Sequence, residues 1–189
     1  MVSGPGSLFI VHPRFLTDRP ETLSVPFDVD DTLLERATAA SAAFLASVRL
    51  MLRAEQCRYG LERKLGTRHF DAPAIRLALD ALEADGLLSD ERYAASWLRP
   101  RLRNGMEGPL TLLSALSRKG IPRGTGLAAL ARAIDEEGGR EEVLLAIAGR
   151  VRSSGASDRQ AGRKALLALG WKAGDIDRAL DALDDTDEM

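Results

Sequence analysis

The stretch Gly86–Ile121, GLLSDERYAASWLRPRLRNGMEGPLTLLSALSRKGI, decides how the rest of the chain is read. It holds two helix signals separated by a glycine-containing break. Asp90 or Ser89 starts the first, because a short side-chain oxygen satisfies amide groups that the opening turn leaves unpaired. Tyr93, Trp97, Leu98 and Leu102 follow inside that helix. Pro100 lies within it, lacks an amide proton and is expected to kink it. Gly105 and Gly108 break it. Pro109 then takes the favoured first position of a second helix. Leu112, Leu113 and Leu116 form its apolar face, and Gly120 ends it. A third helix carries Leu127, Leu130, Ala131 and Ile134 and closes at Gly138-Gly139.

The same arrangement recurs on both sides. Upstream, Thr32-Leu33-Leu34-Glu35 fits a capping box near Asp31. Leu33, Leu34, Ala37, Ala40, Phe44, Val48 and Met51 recur behind it at helical spacing. A short helix with Leu61 and Leu65 follows. A third begins after Asp71, a good N-cap, with Pro73 in its first turn; Ile75, Leu79 and Leu82 form its face and Gly86 stops it. Downstream, Val143, Ile147 and Val151 lead to a break at Ser153-Ser154-Gly155. Ser157-Asp158-Arg159-Gln160 reads as a further capping box. Leu166, Leu169, Trp171, Ile176, Leu180 and Leu183 complete the pass.

Counting makes the repeat explicit. Leu65, Phe70, Ile75, Leu79 and Leu82 step by 5, 5, 4 and 3, and so do Leu166, Trp171, Ile176, Leu180 and Leu183. In the middle copy Leu116, Ile121, Leu127, Ala131 and Ile134 step by 5, 6, 4 and 3. Earlier in each copy, Phe44 and Val48 match Tyr93 and Trp97, then Val143 and Ile147. The period, about 50 residues, exceeds the ~34 and ~33 of the tetratricopeptide and ankyrin repeats. The expected fold is all-α: three tandem three-helix repeats over 31–86, 87–138 and 139–184, in an elongated, curved array. Residues 185–189 form an acidic tail, expected to fray from Asp184 onward. Residues 1–30 stand apart; Ser7–Val11 and Thr22–Val25 are expected to pair as a small β-hairpin, with a loop around Pro13 and Pro20 between them.

Composition agrees. Of 189 residues, 45% are apolar and 29% charged, enough to bury a core, while only 5% are aromatic and Ala and Leu abound, which favours helix over sheet. No apolar run approaches the ~20 residues a membrane-spanning helix needs. The start, MVSGPGSLFIVHP, lacks the basic residues of a secretory signal. Cys57 is the only cysteine, which excludes a disulfide framework and reads as a packed or idle thiol. A cytoplasmic monomer is the expectation.

Catalytic signals are absent. His12 and His69 are the only histidines, neither with a metal-ligand partner at suitable spacing, and no nucleophile elbow, zincin motif or phosphate loop occurs. We expect neither an enzyme nor a cofactor. The net charge of −2 conceals polarity: residues 91–134 carry +6, whereas 1–40 carry −3 and 135–189 carry −5. Arg99, Arg101 and Arg103 lie along one helix end, and Arg118, Lys119 and Arg123 flank the Gly120 turn. Only Glu91 and Glu107 lie within 91–134 to offset them, so these cations form a candidate surface for phosphates or acidic protein faces. Arg63-Lys64 and Arg163-Lys164 occupy related places in the outer repeats, where acids are plentiful enough to neutralise them. Tyr93, Trp97, Phe70 and Trp171 could stack on bases, but their apolar register assigns them to the core. No helix groups Asn, Gln and Arg for reading duplex bases.

The middle copy resembles the RecX regulatory proteins of bacteria. The resemblance rests on Gly86-Leu87-Leu88, Asp90-Glu91-Arg92-Tyr93-Ala94, Arg101 with Arg103, Gly108-Pro109, Leu112, Leu116 and Lys119-Gly120-Ile121. Leu61-Glu62-Arg63-Lys64-Leu65 with Phe70 and Ile75 is similar to the first repeat of that family. The chain departs from it at Gly60, at Cys57-Arg58-Tyr59 and in its acidic third copy. The resemblance implies three tandem three-helix repeats. It also implies binding to the RecA recombinase and its single-stranded DNA filament, with inhibition of strand exchange, ATP hydrolysis and coprotease action; family members also bind DNA directly. A helical scaffold unrelated to RecA and a stand-alone nucleic-acid binder are the rival readings.

Overall fold

The helical periodicity is realised as nine α-helices among the described residues. The structure, a computed structural model, describes residues 2–4, 7–9, 11–16, 30–155 and 158–187. In order these form β1 (Val2–Gly4), β2 (Ser7–Phe9), a 3-10 turn (Pro13–Phe15), α1 (Asp31–Met51), α2 (Arg58–Gly66), α3 (Ala72–Ala84), α4 (Asp90–Asn104), α5 (Pro109–Arg118), α6 (Arg123–Glu136), α7 (Arg140–Ser153), α8 (Arg159–Ala168) and α9 (Ala173–Asp187). They divide into two compact units, Met1–Ser89 and Asp90–Met189.

The first unit holds α1–α3. Leu61, Leu65, Leu79 and Leu82 are fully buried with Ala43, Phe44, Ile75 and Leu88 around them. Each such leucine stabilises the fold by about 1.5–3 kcal/mol through burial. Asp71 caps α3 as expected, its Oδ1 accepting the Ala74 amide at 2.6 Å, with Pro73 in the first turn. The Thr32 capping box is not formed: α1 begins at Asp31 with Asp30 in the capping position, so Thr32 lies inside the helix. A hairpin precedes the helices. β2 pairs antiparallel with β1, Val2 opposite Phe9; its expected partner, Thr22–Val25, lies outside the described residues. Only Pro5 and Gly6 separate the two strands in sequence, so closing this pairing costs little entropy. After β2, the His12 amide donates to Ser41 Oγ at 2.8 Å, and the Arg14 guanidinium binds the Asp85 carboxylate at the end of α3.

The second unit holds α4–α9. Here α4 packs on α6 and α7 on α9, the same first-on-third arrangement as α1 on α3. The two helix triplets meet at a close backbone approach. The Gly108 amide donates to the Leu169 carbonyl at 2.7 Å, and Thr111 Oγ1 donates to the same oxygen at 2.8 Å. A Cβ on Gly108 would lie 2.6 Å from the Gly170 carbonyl carbon, so Gly108 is more than a helix break. Arg150 Nη2 reaches back from α7 to the Gly105 carbonyl at 2.9 Å, satisfying one acceptor left open where α4 ends. At α8 the cap is Asp158, whose Oδ1 accepts the Ala161 amide at 2.7 Å; Ser157 of the expected box lies outside the described residues. Helix α9 continues to Asp187, beyond Asp184 where fraying was expected.

Burial corrects the register of the middle copy. Leu127 is 45% exposed, whereas Gly126, Leu130 and Ala133 face inward. Leu116, Ile121, Gly126, Leu130 and Ala133 then step by 5, 5, 4 and 3, as in the other two copies. A glycine at a core position had hidden the match. Likewise the inward residues of α4 are Ala94, Leu98 and Leu102, one later than Tyr93 and Trp97. The turn between the last two helices of each copy holds a residue in the left-handed region: Gly120 (φ 80°), Gly170 (φ 92°) and, in the first copy, His69 (φ 64°).

Candidate functional site

The six cations of the middle copy lie at the C-terminal end of α4, at the end of α5 and at the start of α6. Their environments differ. Arg99 Nε donates to Glu136 Oε2 at 3.0 Å, and Arg103 Nε donates to Glu137 Oε1 at 2.6 Å. Arg132 pairs with Glu91 at 2.7 Å. The bond to Arg99 holds the Glu136 carboxyl below the usual glutamate range. Glu136 and Glu137 end α6, which packs along α4, and so bring acid to a stretch whose own residues carry almost none. The expectation that only Glu91 and Glu107 offset these arginines is therefore corrected.

Arg101 sits differently. Its guanidinium carbon lies 3.7 Å from the Trp97 ring centroid, and its Nη1 donates to the Trp97 carbonyl at 3.0 Å. Glu107 approaches its Nε only to 3.8 Å. Just past α5, Lys119 Nζ lies 5.6 Å from the same ring. Trp97 is thus a half-buried indole between two cations rather than a core residue, because the inward face of α4 runs through Leu98. Cation–π contacts of this kind contribute ~0.5–1 kcal/mol at exposed sites. Tyr93 and Phe70 are also half-buried; of the four aromatics assigned to the core, Trp171, 2% exposed, is the fully enclosed one. Arg118 is exposed, with its Nη1 donating to Ser114 Oγ at 3.3 Å, and Arg123 is exposed at the first position of α6.

Arg63 and Lys64 lie on α2 of the first unit, where Arg63 stands 5.9 Å over the Tyr59 ring and Lys64 Nζ donates to Gln56 Oε1 at 2.6 Å. In the third copy Arg163 pairs with Asp177 at 2.7 Å. One repeated feature escaped the sequence reading. Arg58, the first residue of α2, binds Asp80 and Glu83 of α3; Arg159, the first residue of α8, binds Asp181 and Asp184 of α9. The separations, 22 and 25 residues, are identical in both. The middle copy has Pro109, Ala131 and Ile134 at those places and lacks the clamp. Among the described residues no group of histidine, cysteine and carboxylate side chains could hold a metal ion, and no helix is long and apolar enough to cross a membrane. Cys57 is buried at the start of α2.

No protein-family model matches the chain. It is 33% identical over 90 residues to the regulatory protein RecX of Halorhodospira halophila, a span covering 48% of this chain and 55% of that protein. It is 40% identical over 74 residues to RecX of Pseudomonas fluorescens, covering 39% and 47%. With RecX of Acidithiobacillus ferrooxidans the identity is 44% over 78 residues, covering 41% and 51%. The chain spans about half the length of the curated relatives it matches. Among solved structures, RecX from Lactobacillus salivarius superposes with a TM-score of 0.67 at 21% identity, covering 77% of this chain and 97% of that one. A second RecX crystal structure gives 0.72 at 17% identity, covering 90% and 86%. At those identities the structural likeness speaks for the fold.

Proposed function

The sequence relatives and the shared fold support the RecX family for this chain, and from that premise we propose that it regulates the RecA recombinase by binding it, above all as the filament on single-stranded DNA. The bound protein restrains strand exchange, ATP hydrolysis and coprotease action without catalysing a reaction of its own. The observation that carries this reading is the set of RecX relatives at 33–44% identity. The geometry supplies a surface suited to it. Arg101 and Lys119 around Trp97 present positive charge beside a half-buried indole. Phosphates of single-stranded DNA meet the charge, and a base stacked on an aromatic side chain contributes ~1–3 kcal/mol. The helical units occupy the filament groove and obstruct the incoming duplex. Because α6 carboxylates already neutralise Arg99 and Arg103, we assign DNA contact first to Arg101 and Lys119 beside Trp97, and leave Arg118 and Arg123 for acidic protein surface; Arg63 and Lys64 are a separate cationic pair on the first unit. The protein acts in the cytoplasm, as a monomer, within recombinational repair and the damage response.

The test is RecA strand exchange with and without the protein. Joint-molecule yield should fall as the protein approaches saturation of the filament; an unchanged yield at saturation refutes the reading. A stand-alone nucleic-acid binder is the second reading, favoured by the position of Trp97. It predicts single-stranded DNA binding without RecA that Trp97→Ala weakens.

A further inference from the structure

The three copies can be compared residue by residue, because their last helices begin at the same point of the repeat. The fourth residue is Ile75 in α3 and Ile176 in α9, 8% and 0% exposed. In α6 it is Gly126. A depression of about 250 Å³ opens there between α5 and α6, lined by Leu110, Leu113, Leu116, Ile121 and Arg123 among others. The third copy supplies an internal control. The fourth residue of its middle helix is Gly162, where the other copies have buried Leu61 and Leu112, and a depression of about 220 Å³ opens beside it. In both copies the opening lies where the glycine replaces an aliphatic side chain.

What distinguishes the middle copy is its rim. The fifth residue of α3 is Arg76 and of α9 Asp177, but of α6 it is Leu127, 45% exposed. The fifth residue of α2 is Glu62 and of α8 Arg163, but of α5 it is Leu113. In the third copy these two places form the Arg163–Asp177 ion pair; in the middle copy they are two leucines. Leu110, 56% exposed, completes the rim. The outer copies thus show charge or a filled core where the middle copy shows leucine and a vacancy. Arg123, the first residue of α6, lines the depression, Arg118 stands at the end of α5, and no carboxylate is among the lining residues.

We infer that this depression takes an aliphatic side chain from an acidic segment of a partner protein and, resting on the function proposed above, that the segment belongs to RecA. The incoming side chain supplies what Ile75 and Ile176 supply within their own copies. Leu110, Leu113 and Leu127 cover the apolar residues beside it, and Arg118 and Arg123 meet flanking carboxylates. A nucleic-acid strand would gain nothing from three leucines, so this contact is separate from the Trp97 surface.

Two variants of the full chain test it. Gly126→Ile fills the depression with the residue of the sister copies. The double variant Leu113→Arg/Leu127→Asp installs the ion pair of the third copy and leaves the core untouched. Fluorescence anisotropy of the labelled protein with purified RecA, alone and as filaments on oligo-dT, reads affinity, and circular dichroism verifies folding. Each folded variant should bind RecA at least tenfold more weakly than the parent. Parent-like binding by the folded double variant overturns the inference and leaves the proposed function intact, and it decides the matter if Gly126→Ile misfolds. Failure of the parent to bind RecA in either form overturns both. A concentration-dependent dimer abolished by the double variant, with RecA binding unchanged, reassigns the face to a second copy and overturns the inference.

Discussion

Two glycines of the second unit should respond to the same substitution with opposite sign. At Gly126 a new Cβ would meet Leu113 Cδ2 and Leu116 Cδ1 at 3.7 Å and Ile121 Cγ2 at 3.9 Å, all ordinary contacts. The residue is buried within α6, so Gly126→Ala gains helix propensity of about 1 kcal/mol. The added methyl also lies against apolar neighbours, worth up to about 0.8 kcal/mol. A net stabilisation of about 1–2 kcal/mol follows, or a rise of roughly 4–8 °C per kcal/mol for a unit of this size. At Gly108 the new Cβ would lie 2.6 Å from the Gly170 carbonyl carbon and 2.7 Å from the Trp171 nitrogen. These are backbone atoms, so the two helix triplets must separate and strain the Gly108–Leu169 hydrogen bond. Overpacking of this kind costs about 1–3 kcal/mol, so Gly108→Ala should melt several degrees lower. Thermal unfolding followed by circular dichroism, with chemical denaturation as a check, measures both. A lower melting temperature for Gly126→Ala, or an unchanged one for Gly108→Ala, would refute the register of the middle copy and the approach of its neighbour.

Three further outcomes are expected. His69→Gly should stabilise the first unit by about 1 kcal/mol in urea unfolding, because a β-carbon residue in the left-handed region costs ~1–2 kcal/mol and part of that is offset by the looser unfolded chain of glycine. Replacing Arg101 and Lys119 together by Ala should flatten the salt dependence of single-stranded DNA or filament binding by up to roughly 0.7 log–log units per lost phosphate contact; Arg99→Ala with Arg103→Ala should flatten it less, since Glu136 and Glu137 already hold those side chains. Carbon-detected NMR titration should find the carboxyls of Asp85, Glu136 and Asp177 below their usual ranges, each because an arginine hydrogen-bonds its charged form. A carboxyl whose folded value is depressed contributes stability above its unfolded pKa of roughly 4, lost as pH falls through the lower folded value. Ordinary values for all three would contradict the pairing.

Much of this protein was legible before folding was considered. Helix boundaries follow from residues three or four apart, so Pro109, Asp71, Gly86 and Gly120 marked starts and stops correctly, and the 5, 5, 4, 3 spacing exposed a duplication. The relation to RecX proteins was carried by local motifs of the middle copy. What the chain alone misplaced were features that depend on distant partners. Arg99 and Arg103 looked unopposed because Glu136 and Glu137 lie 37 and 34 residues away and reach them only across packed helices. Trp97 matched an apolar register but turns to the flank of α4, because Leu98 takes the inward position. Gly126 hid a core site, since a residue without a side chain leaves no hydrophobic mark in the sequence, and only the packing of α5 against α6 shows that a space exists there. Periodicity records which face of a helix is buried on average; which side chains meet, which charges cancel and where a vacancy opens are decided when the helices come together.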